Sequence, residues 1–370
     1  MQYDVIVIGA GIIGAACAKA LAGAGKRVLV LDSGTGGATH AGMGHIVVMD
    51  DNPAEMAISQ YSVDAWRKLA PVMPADCAFS QCGTLWVAAD AEEMAGAEVK
   101  RQRMVKQGVA CELLSPAALA QAEPGLRRGL TGGLLVTGDG TLYAPNVTRW
   151  LLGLQPDKVT VQRGMAARID GNTVLLEDGS SRSAPQILLA TGLQSTQLVP
   201  GLPIRAKKGH LVITDRYPGA LNHQLVELSY MTTSHYSEGP SVAFNVQARP
   251  TGQLLIGSSR QYDTFDRSVE PDMVARMLQR AIDYMPGIAH LNAVRCWTGF
   301  RPATPDSLPI LDRHPVNPHL WMAVGHEGLG ATTAPGTADV MVALMTGGTA
   351  PVELAPFSLA RFGITAGDLQ

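Results

Sequence analysis

The sequence predicts an α/β protein. A Rossmann-like dinucleotide-binding domain is assembled from both ends of the chain, and a second domain built on a mixed β-sheet is inserted into it. Three observations carry this. The stretch Asp4 to Asp32 reads strand, glycine turn, helix, strand, acid. A later apolar run ends in Ala190-Thr191-Gly192. A third apolar run, residues 320–324, leads into Gly-His-Glu-Gly-Leu-Gly at 325–330 and then a helix placed after Pro335.

The first stretch is the most informative. Val5 to Ile8 is a short buried strand, and Val28 to Leu31 is a second. Between them stand Gly9, Gly11 and Gly14, each with its own reason: a tight turn, close backbone approach to a pyrophosphate, and close packing of helix on strand. The helix start directs free N–H groups and the positive end of its dipole at the phosphates. Asp32 ends the second strand, where a carboxylate accepts from both hydroxyls of an adenosine ribose. Ser33 follows with no Arg or Lys beside it in the sequence, which disfavours a 2′-phosphate.

Length and charge narrow the rest. A chain of 370 residues suits two packed domains better than one. Its net charge is −3, without a block of one sign, so a nucleic-acid partner is not expected. No apolar run reaches the roughly 18 residues that span a bilayer, and Asp4 without a basic flank argues against a signal peptide. The five cysteines form no metal-binding pattern, and reduced thiols are expected. The expected location is cytoplasmic, with docking at the inner face of the membrane through an electron acceptor left open.

Along the chain, 33–51 is a small-residue loop able to wrap a cofactor closely, with Thr39 and His40 as donors. Residues 53–70 have helical spacing, 83–87 reads as a strand, and 91–107 as an exposed charged helix. A short strand and a Ser-Pro helix start fall within 112–126, and a Pro-initiated helix within 138–152. Strands follow at 159–167, 173–177, 187–192, 204–214 and 253–262. Pro271 opens a helix whose Met273, Val274, Met277, Leu278, Ala281 and Ile282 share a core-facing side. Lys207, Lys208 and His210, at a strand entry, read as solvated surface, with gating of the pocket as the alternative.

The order of GAGIIG, AGMGH, ILLATG, GFRPATPD and GHEGLG resembles the FAD-dependent D-amino acid oxidase superfamily, over nearly the whole chain. The likeness is strongest to its glycine and sarcosine oxidases and to the flavin subunits of opine oxidase, hydrogen cyanide synthase and D-hydroxyproline dehydrogenase. The resemblance implies a glutathione-reductase-like FAD domain from 1–80, 140–200 and 312–370, and a substrate domain from 81–139 and 201–311. It implies that Gly9, Gly11, Ile12, Ile13 and Gly14 hold the FAD pyrophosphate, and that Asp32 and Ser33 meet the ribose. Ala38, Thr39, His40, Gly42, Met43, Gly44 and His45 line the phosphates and the isoalloxazine. Met165 stands at the adenine through its backbone, and Ala190, Thr191 and Gly192 lie at the sheet edge. His326, Glu327, Gly328, Leu329, Gly330, Ala331 and Thr332 face the flavin pyrimidine.

Arg301, in GFRP, matches the family's carboxylate-binding arginine, with Phe244 and His45 as further substrate contacts. His45 and His326 are the candidates for carrying the amine proton near neutral pH. Glycine oxidases carry a second Arg and a Tyr where this chain has Gly328 and Phe244, so an apolar or ring-shaped substrate is expected. Cys296 stands one residue from the cysteine that bonds FAD in some sarcosine oxidases, so non-covalent FAD is expected, with no metal. The implied reaction is oxidation of a D-amino or secondary amino acid to its imine, by hydride transfer to flavin N5. The foremost substrate is cis-4-hydroxy-D-proline, with a protein or quinone as electron acceptor and a hetero-oligomer in view. An oxidase that makes hydrogen peroxide and a flavin subunit that relays electrons are the alternatives.

Overall fold

A computed structural model describes residues 2–229, 239–364 and 366–369. Its first sheet has six strands in the order β18 (Ile310–Arg313), β19 (Leu320–Val324), β12 (Gln186–Leu189), β1 (Val5–Ile8), β2 (Val28–Asp32) and β8 (Val159–Arg163). All neighbours are parallel except β18 against β19. A parallel sheet is covered on both faces, and the four residues of β1 are all buried. Val5 and Val7 pack towards helix α1 (Ile12–Gly23) and the carboxyl-terminal helix Gly330–Thr346. Ile6 and Ile8 pack towards the opposite layer, where Val174 and Leu176 contribute. That layer is a three-stranded sheet of β9 (Ala166–Asp170), β10 (Thr173–Leu176) and β11 (Ser181–Ser183).

The second sheet has eight strands, in the order β17 (Ala293–Ala303), β13 (Arg205–Arg216), β16 (Gln253–Tyr262), β15 (Ser241–Ala248), β14 (Gln224–Glu227), β4 (Thr84–Ala88), β6 (Gly132–Val136) and β5 (Cys111–Leu114). It is mixed: β14 and β4 run parallel, the other pairs antiparallel. The helix Pro271–Tyr284 covers one face, and its Met273 and Met277 are core residues. A two-stranded ribbon of β3 (His45–Ile46) and β7 (Gly140–Thr141) carries the chain between the sheets.

Four strands of this sheet, β6, β14, β15 and β17, have no range in the sequence reading. β6 begins with two glycines, which mask its apolar pattern, and β14 is only four residues long. The charged helix Ala91–Lys106 is not exposed throughout. Lys100 is buried, hydrogen-bonded to buried Asp50 and 4.4 Å from the centre of the Trp86 ring, while Arg103 reaches the same carboxylate at 2.7 Å.

The carboxyl-terminal helix starts at Gly330, five residues before the predicted start, and takes Pro335 into its interior. A proline there leaves the carbonyl four residues back without its donor. That carbonyl, of Ala331, accepts from Trp66 Nε1 at 3.0 Å, as does Thr332 O at 3.0 Å. Trp66 lies on α3 (Pro53–Leu69) and is fully buried. Gly336 lets the helices touch, since a Cβ there would sit 2.5 Å from Ser62 Oγ. A distant indole therefore permits a helix that local sequence rules end. Trp66→Phe removes that donor and some volume, so urea unfolding is expected to show a loss of about 2–4 kcal/mol. An unchanged midpoint would refute the account.

Candidate active site

The glycine loop is built by backbone contact. Gly9 has φ of +102°, and a Cβ on it would lie 2.5 Å from Ala190 O. A Cβ on Gly14 would lie 1.9 Å from Gly9 O, so only glycine lets α1 descend this far. Ala190 N donates to Ile8 O at 2.8 Å, bringing Ala190, Thr191 and Gly192 against the loop. Ile12 N donates to Thr39 Oγ1 at 3.0 Å, so Thr39 braces the helix start and exposed His40 follows it. Asp32 is engaged with its own loop: Oδ2 accepts from Ala10 N and Oδ1 from Gly34 N, each at 2.7 Å. Each oxygen keeps a second lone pair for a ribose hydroxyl. Ser33 Oγ pairs with Thr35 Oγ1 at 2.9 Å. Arg163, the register partner of Asp32 on β8, packs beside Gly34, so a cation stands here that the sequence neighbourhood does not reveal. Met165 lies just beyond β8, half-buried, its carbonyl accepting from Glu177 N at 2.9 Å.

Two further loops close on the same region. Ala38 opens the short helix α2 (Ala38–Ala41), which packs on β17: a Cβ on Gly299 would collide with Ala41, and Trp297 Nε1 donates to Ala41 O at 3.0 Å. Gly42 and Gly44 continue the chain, and a Cβ on Gly44 would lie 2.0 Å from Leu142 O. Met43 O accepts from Gln247 Nε2 at 2.7 Å and Arg249 Nη2 at 2.8 Å. Thr332 Oγ1 donates to His45 O at 2.9 Å, tying this loop to the carboxyl-terminal helix. Ile13 packs near Gly330, so the two glycine-led helices start side by side. Leu329 and Ala331 pack on the core.

Arg301 reaches over the second sheet. It is half-buried, and a Cβ on Gly209 would sit 2.8 Å from its Nη1. Its side-chain hydrogen bond among the described residues runs from Nη1 to Ser259 O at 3.2 Å, leaving four guanidinium N–H groups for a ligand. Its register partner, Lys207, is buried and donates to Glu327 Oε1 at 2.9 Å. Glu327 has φ of +47° and sits in the loop before the carboxyl-terminal helix. Burial alone would raise its pKa, but Lys207, Arg301 and Arg260 together hold it well below the usual carboxylate range. A Cβ on Gly328 would approach Arg301 no closer than 3.6 Å, so space remains beside the guanidinium.

Several expectations are corrected. Lys207, Lys208 and His210 are buried, not solvated: Lys208 donates to Glu270 Oε1 at 2.6 Å, and His210 Nδ1 meets Ser259 Oγ at 2.9 Å. Phe244 does not face the site. It stacks on Tyr284 at 4.5 Å, on the side covered by the helix Pro271–Tyr284. Strand side chains alternate, so its neighbours Asn245 and Gln247 are the ones that meet the site loop. The polar–apolar alternation of Phe-Asn-Val-Gln carried this signal.

Neither histidine titrates near neutral pH. Burial pushes His45 down to about 4, against a hydrogen bond to Gln224 and helped by the charges of Arg249 and Arg301. Its Nδ1 faces Gln224 Oε1 and its Nε2 faces Asn245 Nδ2 at 3.1 Å. Burial pushes His326 down to about 3, and its Nε2 pairs with Thr337 Oγ1 at 3.0 Å within the carboxyl-terminal helix. Gln224, Asn245, Gln247 and Arg249 are site residues that sequence reasoning did not single out.

Residues 4–344 match the model of a family described as FAD dependent oxidoreductase. The chain belongs to this family. It is 27% identical to a glycine oxidase of Geobacillus kaustophilus, over 97% of each chain, and 26% identical to one of the subunits of the opine oxidase of Agrobacterium tumefaciens, over 98% of each. The solved glycine oxidase of Geobacillus kaustophilus superposes with a TM-score of 0.86 at 25% identity, over 97% of this chain and 99% of that one. The L-proline dehydrogenase of P. horikoshii shares the fold, with a TM-score of 0.87 at 21% identity, over 100% of this chain and 99% of that one.

This FAD-dependent oxidoreductase has a loop that fits its cofactor. The first turn of α1 carries no acidic side chain, and Gly11 leaves the approach to that turn without a side chain. Among the described residues no group of His, Cys, Asp or Glu is arranged to hold a metal ion, and no helix is long and apolar enough to cross a membrane.

The neutral histidines predict a pH effect. Their folded pKa values lie below the unfolded value of about 6.5. Stability is therefore full above that pH and falls as pH drops towards 4, where the unfolded chain takes up protons the fold refuses. Each contributes a slope of up to about 1.4 kcal/mol per pH unit. A His45→Gln, His326→Asn double variant is expected to show a shallower decline in urea unfolding between pH 6.5 and 4. Identical slopes would contradict the assignment.

Proposed function

We propose that this protein oxidises the Cα–N bond of a D-amino acid or secondary amino acid to the imine, bound FAD accepting the hydride at flavin N5. In its most specific form the substrate is cis-4-hydroxy-D-proline, oxidised to a pyrroline carboxylate. The observation that carries the reading is Arg301, whose guanidinium lies over bare Gly209 with four N–H groups uncommitted. An arginine grips a carboxylate with two parallel hydrogen bonds and fixes its rotation, which aims the substrate's Cα–H. Gly209 makes room for the guanidinium, and the side-chain-free position Gly328 leaves room for a ring beside it, a role that passes to it from Phe244. The positive field of Arg301 favours the neutral amine that the chemistry needs. Burial leaves His45 and His326 weak bases, so the amine proton leaves to solvent.

In this reading the first sheet's residues, 1–80, 140–200 and 312–370, hold FAD, and residues 81–139 and 201–311 cover its ring. Asp32 meets the ribose, and the loops of Thr39 to His45 and His326 to Thr332 border the flavin. FAD is held without a covalent bond, because Cys296 packs on the helix-covered face of β17 while Trp297 faces the loop at Ala41. Electrons pass to a protein or quinone acceptor in the cytoplasm. Partner subunits are in keeping with the opine oxidase relative, which is by its name one component of a larger enzyme.

The test is an anaerobic spectral titration of the purified flavoprotein with D-proline, cis-4-hydroxy-D-proline, sarcosine and glycine, followed by air. Bleaching by the D-prolines with slow recovery is expected. Faster bleaching by glycine or sarcosine with rapid recovery would make it an oxidase instead. Arg301→Ala is expected to lower the efficiency of reduction by about 100-fold or more, the worth of a bidentate charged pair. Unchanged reduction would remove Arg301 from the substrate site.

A further inference from the structure

The inference starts from a chain of hydrogen bonds in which every orientation is forced. Gly140 O can only accept, and Gln224 Nε2 stands 3.0 Å from it. The same nitrogen donates to Thr84 Oγ1 at 2.7 Å, whose hydroxyl proton goes to Asp139 Oδ2 at 2.6 Å. Asp139 is fully buried and also accepts from Val48 N at 3.0 Å. The amide of Gln224 thus has one orientation, with Oε1 towards His45 Nδ1. That nitrogen must carry the ring proton, so His45 Nε2 presents a lone pair and accepts from Asn245 Nδ2 at 3.1 Å. Asn245 is therefore held with its Oδ1 as an acceptor.

Nothing among the described residues uses that acceptor. Asn245 is 6% exposed, and its Oδ1 is buried without a donor among the described residues. A buried acceptor left in this state has lost its water without a replacement, a penalty that a ligand's donor would recover. Asn245 pairs across the sheet with Gly257, and a Cβ there would sit 2.8 Å from Leu211 Cδ2 and 3.1 Å from Met43 Sδ, so those two side chains fill the place that Gly257 leaves open on β16. Two residues further along β16 is Ser259, whose carbonyl anchors Arg301. A carboxylate at Arg301 and an amine at Asn245 would span β16 beside the Leu211 and Met43 side chains.

We infer that Asn245 is the residue that reads the substrate's amine: Oδ1 accepts its N–H, and the Asp139–Thr84–Gln224–His45 chain holds the amide in the accepting orientation. This rests on the amino acid reading above. It makes Asn245 a specificity-determining residue, and Gln224 and His45 positioning residues. One N–H reaches one oxygen, so secondary amines qualify, whereas an ether or hydroxyl-free acid offers no donor.

The experiment compares matched acids on the holoenzyme. For D-proline or sarcosine, the dissociation constant comes from the concentration dependence of anaerobic flavin reduction. For their amine-free counterparts, tetrahydrofuran-2-carboxylate and methoxyacetate, it comes from the flavin difference spectrum. Asn245→Leu is expected to weaken the amino acid by about 10- to 100-fold, one hydrogen bond to a polar or charged group, and to leave the amine-free acid within about twofold. Asn245→Asp, which keeps the acceptor, is expected to retain the preference for the amine. If Asn245→Leu does not hold FAD, Asn245→Ala serves in its place. Equal losses for both ligands, or none for either, overturn the inference while the amino acid reading stands. If no amino acid reduces or perturbs the wild-type flavin, both fall together.

Discussion

Close backbone contact at the first glycine loop is the constraint on which the rest depends. Gly14 rests on Gly9 O, and Gly9 rests on Ala190 O, at distances that exclude any Cβ. These contacts lock β1, β12 and α1 into one body. The carboxyl-terminal helix then lies along α1 and delivers the loop of His326 to Gly330 to the same edge. Because Thr332 also ties the backbone at His45, a shift of α1 would move both walls of the site together.

The eight-stranded sheet divides its labour by face. One face is apolar and packs on the helix Pro271–Tyr284, with Phe244, Val246, Leu254 and Ile256 at its centre. The other carries Arg301, Lys207, Gly209, Gly257, Asn245 and Gln247, beside a small apolar patch of Leu211 and Leu255 under Met43. Period-two alternation makes this division legible in principle, and reading it strictly would have exchanged Phe244 for Asn245 as the site residue. Lys207 and Lys208 show why adjacent residues of like type diverge. They point to opposite faces, and each is buried against its own carboxylate, Glu327 or Glu270.

The electrostatic balance of the site follows. Three cations act on one carboxylate, Glu327, which stays ionised although burial opposes it. An anionic ligand thus meets a region where positive charge is only partly neutralised. The two imidazoles add no charge, since desolvation keeps both neutral. What polar order they bring is hydrogen-bond direction: His45 passes on an orientation that begins at a backbone carbonyl.

Local rules of chain geometry were enough to read the dinucleotide loop, the parallel strands and the Met-lined helix from sequence. Each depends on residues near one another in the chain: glycines spaced for a turn, alternating or 3.6-period apolar residues, an acid at a strand end. The tertiary structure alone decided that Lys207 and Lys208 are buried, that Arg163 stands beside Asp32, and that a helix runs through Pro335. In each case the partner is remote in sequence: a carboxylate on another element, a neighbouring strand, an indole that supplies the missing donor. Burial and hydrogen-bond satisfaction are properties of the assembled fold, and so was the site.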